Sequence, residues 1–119
     1  MTAETQRKRR GHDFYPPAES MATIPPLYGN ESVALADQVI RLHYFGGACD
    51  WWLTEYDQLD QLAFGYACLG DLDLAEWGYV SLVELEALTL PRQPLFIVER
   101  DLYWQPQTVA EAHLPGSPM

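Results

Sequence analysis

The alternation of apolar and polar residues begins at Val39. In "VIRLHYF", Ile40, Leu42 and Tyr44 fall on one face, and Val39, Arg41, His43 and Phe45 on the other, the period-two pattern of a half-buried strand. Gly46 and Gly47 interrupt it. "DWWLTEYD" and "LAFGYAC" follow, both rich in aromatic and β-compatible residues, and the polar link Gln58–Gln61 between them predicts a hairpin. In its second strand Leu62, Phe64, Tyr66 and Cys68 share a face, while Ala63, Gly65 and Ala67 form a flat opposite face that another element can approach closely. "WGYV" reads as a further short strand after the connection "GDLDLAE". A helix then follows: Ser81 can cap it, Glu84 stands three residues on, and Leu82, Leu85 and Leu88 recur near helical spacing before Pro91 and Pro94. "LFIVER" is another strand candidate, which "DLYW" can extend. The predicted fold is α+β: a small, mainly antiparallel sheet of about five strands with one short helix packed on it, over residues 31–106.

The flanks lack this periodicity. Residues 1–30 hold four of the nine prolines and the cluster "RKRR", which predicts a flexible, Pro-rich, basic arm whose charges are solvated rather than bound to nucleic acid or membrane. Met21 offers a second possible start of translation, which would make residues 1–20 a dispensable extension. Residues 107–119 read as a loose tail with at most one short helical turn.

Composition sets the scale. A chain of 119 residues suits one domain, and 48% hydrophobic content supports a genuine core. No apolar run approaches the ~18 residues of a membrane span, and the N-terminus lacks the apolar core of an export signal, so a cytoplasmic protein without membrane contact is expected. In that compartment Cys49 and Cys68 are expected as free, buried thiols. Together with the scattered His12, His43 and His113 they show no zinc-like spacing.

Charge changes the picture most. The formal net charge is −10. Residues 1–30 carry four basic side chains against three acids, a net of +1; the rest carries Arg41, Arg92 and Arg100 against fourteen acids, a net of −11. Direct binding of the folded part to a phosphate backbone is therefore disfavoured, and its expected partner is a basic protein, for instance a nucleic-acid-binding host protein. Between Tyr56 and Tyr79 stand Asp57, Asp60, Asp71, Asp73 and Glu76 with no basic residue, beside Phe64, Tyr66 and Trp77. Glu55 and Asp57, two apart on a strand, share a face. The expected partner-binding set is Glu55, Asp57, Asp60, Asp71, Asp73, Glu76 and Trp77.

Catalytic readings are weaker. Asp50, Glu55, Asp57, Asp71, Asp73 and Glu76 include enough oxygen ligands for Mg²⁺, but no lysine outside the N-terminal segment is present to stabilise phosphate charge. His43 reads as a structural histidine before a general base, and Ser81 as a helix cap before a nucleophile, since no "GxSxG" surrounds it. Neither "GxxxxGK[ST]" nor "GxGxxG" occurs. No catalytic residue, metal or cofactor is assigned.

"IPPLYGNE", "DWWLTEYD", "FGYACLGDLDLAEWGYVSLVELEAL" and "VERDLYW" together resemble domain-of-unknown-function family 2958, a bacterial family, across about residues 24–106. The segments "WGYVSLVELE" and "ERDLYW", in that order and spacing, are the most specific. The resemblance implies a gene carried on plasmids, conjugative elements or phages, near anti-restriction and DNA-processing genes, and carries over no catalytic residue. The expected function is a non-enzymatic acidic binding module, in concrete form an anti-restriction or other anti-defence inhibitor that imitates the charge of DNA. The alternatives are a metal-dependent nucleic-acid-processing enzyme and a structural adaptor in a larger assembly.

Overall fold

The centre of the molecule is a long hairpin. The computed structural model describes residues 3–117. Two single-turn helices, α1 (Arg7–Arg10) and α2 (Ala18–Met21), precede seven strands: β1 (Val39–Ile40), β2 (Leu42–Gly46), β3 (Cys49–Asp57), β4 (Leu62–Leu69), β5 (Glu76–Ser81), β6 (Glu99–Arg100) and β7 (Gln107–Thr108). Helix α3 (Leu82–Ala87) follows β5 directly, and α4 (Val109–Ala112) follows β7. The main sheet is antiparallel in the order β5-β4-β3-β2-β6, and β1 pairs with β7 in a separate two-stranded sheet. The α+β class and the five-stranded antiparallel sheet match the sequence reading.

Neighbouring residues of β3 point to opposite faces, so Trp51 and Trp52 enter different clusters. One face packs Leu42, Tyr44, Trp51, Leu53, Tyr56 and Ala63 beneath Leu82 and Leu85 of α3. The other packs Trp52, Tyr66 and Cys68 beneath Ile40, Val109 and Leu114. A bulge lies between these halves of β3: Leu53 pairs with Gly65 and Glu55 with Phe64, leaving Thr54 without a partner across the ladder. Gly65 is required there, because an added Cβ would lie 2.0 Å from the Trp52 carbonyl oxygen. The element that approaches this glycine closely is thus the neighbouring strand β3. Beyond the bulge, Glu55 and Asp57 share the face of Trp52.

Three sequence expectations need correction. The run Val39–Phe45 is two strands, because the chain crosses between sheets at Arg41, whose N–H donates to the Leu53 carbonyl. Ile40 therefore joins one cluster, and Leu42 and Tyr44 the other. Secondly, the expected flexible arm is packed: Phe14 is fully buried, stacked on Tyr44 at 4.4 Å, and Met21 and Ile24 belong to the same cluster. The Tyr44 hydroxyl donates to the Phe14 carbonyl at 2.8 Å, and burial pushes its pKa far above the ordinary phenol value. Thirdly, the expected loose tail supplies buried Val109 and Leu114, and Thr108 with Glu111 forms a reciprocal capping box on α4. Short polar and Pro-rich segments lack periodicity whether they are loose or strapped onto a sheet, which is why their patterning misled.

The N-terminal strap is held by charge as well as by apolar packing. The Arg10 side chain is fully buried and lies 3.0 Å from the Glu86 carboxylate, and its Nε donates to the Val98 carbonyl. Glu86 also accepts from the Thr5 N–H, the Thr5 hydroxyl and the Gln6 N–H. Burial opposes ionisation of Glu86, but these hydrogen bonds and Arg10 outweigh it and hold the carboxyl below its usual range.

Candidate interaction surface

The acids expected to bind a partner do not form one patch. Glu55 is buried, its carboxylate accepting from the backbone N–H groups of Tyr28 at 2.9 Å and Asn30 at 3.1 Å. It anchors the segment that crosses this face and is withdrawn from the partner-binding set. Its burial had no sequence signal, since the bulge that aims it and the loop that covers it are both tertiary features.

The others divide between the two ends of β4. Asp57 and Asp60 lie at the β3–β4 turn, where Asp57 accepts from the Leu59 N–H. Asp71, Asp73 and Glu76 lie exposed at the β4–β5 connection, where Asp71 accepts from the Asp73 N–H at 2.9 Å and caps a short 3-10 turn. Seven residue steps along β4 separate the groups by about 24 Å. None of these five acids forms an ion pair among the described residues.

Cations collect at the opposite side of the sheet. Arg9 donates to the carbonyls of Pro94 and Phe96, Arg10 to that of Val98, and Arg100 on β6 to that of Asp13. No Lys or Arg occurs between Arg41 and Arg92, the stretch that contains β2 to β5 and α3. The sheet is therefore polar across its width, with β5 at its acidic edge.

Trp77 is half-buried on β5 between these acids. Its ring lies 5.3 Å from Tyr66 and 6.1 Å from Phe64, and Tyr79 meets Phe64 edge-on at 5.5 Å. The Tyr79 hydroxyl lies 2.6 Å from that of Tyr28, and both side chains are largely exposed. Aromatic surface thus continues from the interior to the β5 edge.

One polar constellation joins His43 and Asp50 to Asp101, a residue without a sequence signal of its own. His43 stacks on Trp52 at 5.2 Å, with Asp101 at 2.8 Å from Nδ1 and Asp50 at 2.8 Å from Nε2. It ties β2 to β3 and to the turn after β6. Both ring nitrogens are engaged by carboxylates, consistent with the structural reading of this histidine. Ser81 accepts from the Glu84 N–H, as a helix cap does. Cys68 is buried, and burial raises the pKa of the free Cys49 thiol, which keeps it protonated and poorly nucleophilic. Two open grooves, of about 540 and 800 Å³, have no His, Ser, Cys or Lys in their linings. Among the described residues no group of three or more His, Cys, Asp or Glu is arranged to hold a metal ion, and no helix is long and apolar enough to cross a membrane.

These features define a small α+β protein whose five-stranded antiparallel sheet is packed on both faces and carries acids toward one edge that are unpaired among the described residues. The chain belongs to the family described as protein of unknown function (DUF2958), which matches residues 30–114. The matched region includes β7 and α4 and begins after the strap that supplies Phe14 and Arg10. No curated protein and no solved structure matches the chain.

Proposed function

We propose that this chain is a non-enzymatic binding module that engages a basic protein along its β4–β5 side. The observation that carries this reading is the separation of charge: Asp57, Asp60, Asp71, Asp73 and Glu76 lack ion pairs among the described residues, whereas Arg9, Arg10 and Arg100 are tied down toward the β6 side. At physiological salt the Debye length is about 8 Å, so the two acidic ends, about 24 Å apart, act as independent attractors. A DNA duplex of that length carries about 14 phosphate charges, from one per ~1.7 Å. Five carboxylates reproduce the sign of that field at about a third of its density. The contact is accordingly with two basic patches rather than with the whole of a phosphate-binding track. A nucleic-acid-binding protein presents such patches, and a host defence protein is the concrete partner suggested by the mobile-element setting that the family resemblance implies.

The test compares capture from host lysate by the wild type and by the variant carrying D57N, D60N, D71N, D73N and E76Q. A basic protein retained by the wild type, displaced by duplex DNA or high salt and absent from the variant's eluate is the expected result. Equal capture by the variant would refute the reading.

A further inference from the structure

We infer that the outer edge of β5 receives an extended, basic segment of a partner protein as a sixth strand of the sheet. The inference deepens the basic-partner reading and rests on it for the charge of the occupant. The hydrogen-bond phase of the β4–β5 ladder decides which backbone groups of β5 are free. The Leu82 N–H donates to the Gln61 carbonyl, and the register pairs Leu62 with Ser81, Phe64 with Tyr79 and Tyr66 with Trp77. Bonded and non-bonded pairs alternate along an antiparallel ladder, so Gly78 and Val80 face β4 with their backbone groups, while Trp77 and Tyr79 turn theirs outward. The close ring contacts of Tyr66 with Trp77 and Phe64 with Tyr79 agree, because side chains approach most closely at non-bonded pairs.

Nothing among the described residues pairs with that edge. β5 ends the sheet, and no backbone hydrogen bond outside the ladder involves Trp77 or Tyr79. The strand sequence "EWGYVS" has no lysine, proline or bulge of the kind that blocks edge pairing. A Cβ added at Gly78 would meet nothing within 4 Å, so the sheet face beside this strand is open as well. Apolar side chains border it: Leu72 and Leu74 precede β5, Tyr79 lies on it and Val83 follows it, all exposed. Main-chain bonds along such an edge give affinity and alternate side chains give selectivity. Asp71, Asp73 and Glu76 at one end, with Glu84 beyond the other, select lysine or arginine in the incoming strand and disfavour pairing with a second, equally acidic copy.

The probe is a capped octapeptide of alternating Arg and Val, added to the full chain and followed by amide hydrogen exchange and fluorescence titration. Alternating Glu–Val and alternately N-methylated Arg–Val peptides serve as controls. Binding of the first peptide alone is expected, with exchange of the Trp77 and Tyr79 amides slowing at least about tenfold while Gly78 and Val80 are protected throughout. Tyr79→Pro removes one outward N–H without touching the β4 ladder, and should weaken binding about tenfold relative to Tyr79→Ser, the effect of about one hydrogen bond. Equal binding by those two variants, or protection elsewhere, overturns the edge assignment and leaves the charge reading intact. Undiminished binding by the acid-neutralised variant overturns the charge reading instead. A free chain that sediments as a dimer dissolved by Tyr79→Pro overturns the proposed occupant in favour of a second copy. Should Tyr79→Pro fail to fold, exchange in the wild type decides alone.

Discussion

The two edges of the sheet handle polar groups in opposite ways. At the β6 edge the strand is only two residues long, and a basic strap lies near it whose charges are consumed internally: Arg10 by Glu86 and the Val98 carbonyl, Arg9 by the Pro94 and Phe96 carbonyls. At the β5 edge the strand is six residues long with no outer partner, and the surrounding acids are unpaired among the described residues. Polar groups on the first side hold the fold together, whereas those on the second are available to something else. The sharpest way to break the contrast is to remove the anchor of the first side. Glu86→Ala leaves Arg10 buried with its main counter-ion lost, a change that costs about 3–5 kcal/mol. Chemical denaturation should show a loss of that size, and proteolysis should reach the strap. Because the Glu86 carboxyl is held below its ordinary value, its contribution is fully present above the unfolded value near ~4.3 and fades as pH falls through the folded one. Stability of the wild type should therefore drop with acid in that range, and Glu86→Ala should flatten this part of the profile.

Glu55 marks the boundary between the two behaviours. It belongs to the acidic stretch by sequence and to the interior by structure, where it satisfies the Tyr28 and Asn30 amides. Glu55→Ala should cost about 1–3 kcal/mol for each amide left without its acceptor, less whatever water recovers. The loss should appear in thermal unfolding as well as in faster amide exchange at Tyr28 and Asn30. If Glu55→Ala is neutral for folding but abolishes partner capture, this carboxylate belongs with the exposed acids after all.

Local chemistry explains how much of this was legible. The β3–β4 hairpin, β5 and α3 could be read because alternation, a polar four-residue link and a serine cap are written in adjacent residues. The faces of β4 could be read for the same reason. The bulge at Thr54 could not, because it is defined by Gly65 on the neighbouring strand, and Glu55 was misread with it. The strap and the tail carry no local signal because their anchors, Arg10 with Glu86 for the strap and the Tyr66 hydroxyl with the Pro115 carbonyl for the tail, pair residues far apart in the chain. His43 and Asp50 stand out in the sequence and Asp101 does not, and the meeting of all three depends on the pairing of β2 with both β3 and β6. The exposed acids were legible as charge but not as two separate ends, since strand order decides where each falls.

The smallest expected effect on folding is the one that isolates the binding side. Neutralising Asp57, Asp60, Asp71, Asp73 and Glu76 with Asn or Gln removes no ion pair among the described residues, and surface changes of this kind usually stay within about 0.5 kcal/mol each. Asparagine preserves the two local hydrogen bonds at stake, since it caps turns nearly as well as aspartate and can still accept from the Leu59 and Asp73 amides. Loss of like-charge repulsion should even raise the melting temperature slightly at low salt, with the gain vanishing as salt screens it. Calorimetry at two ionic strengths measures this directly. A large destabilisation would mean that these carboxylates serve the fold, and the distinction between the two edges of the sheet would disappear.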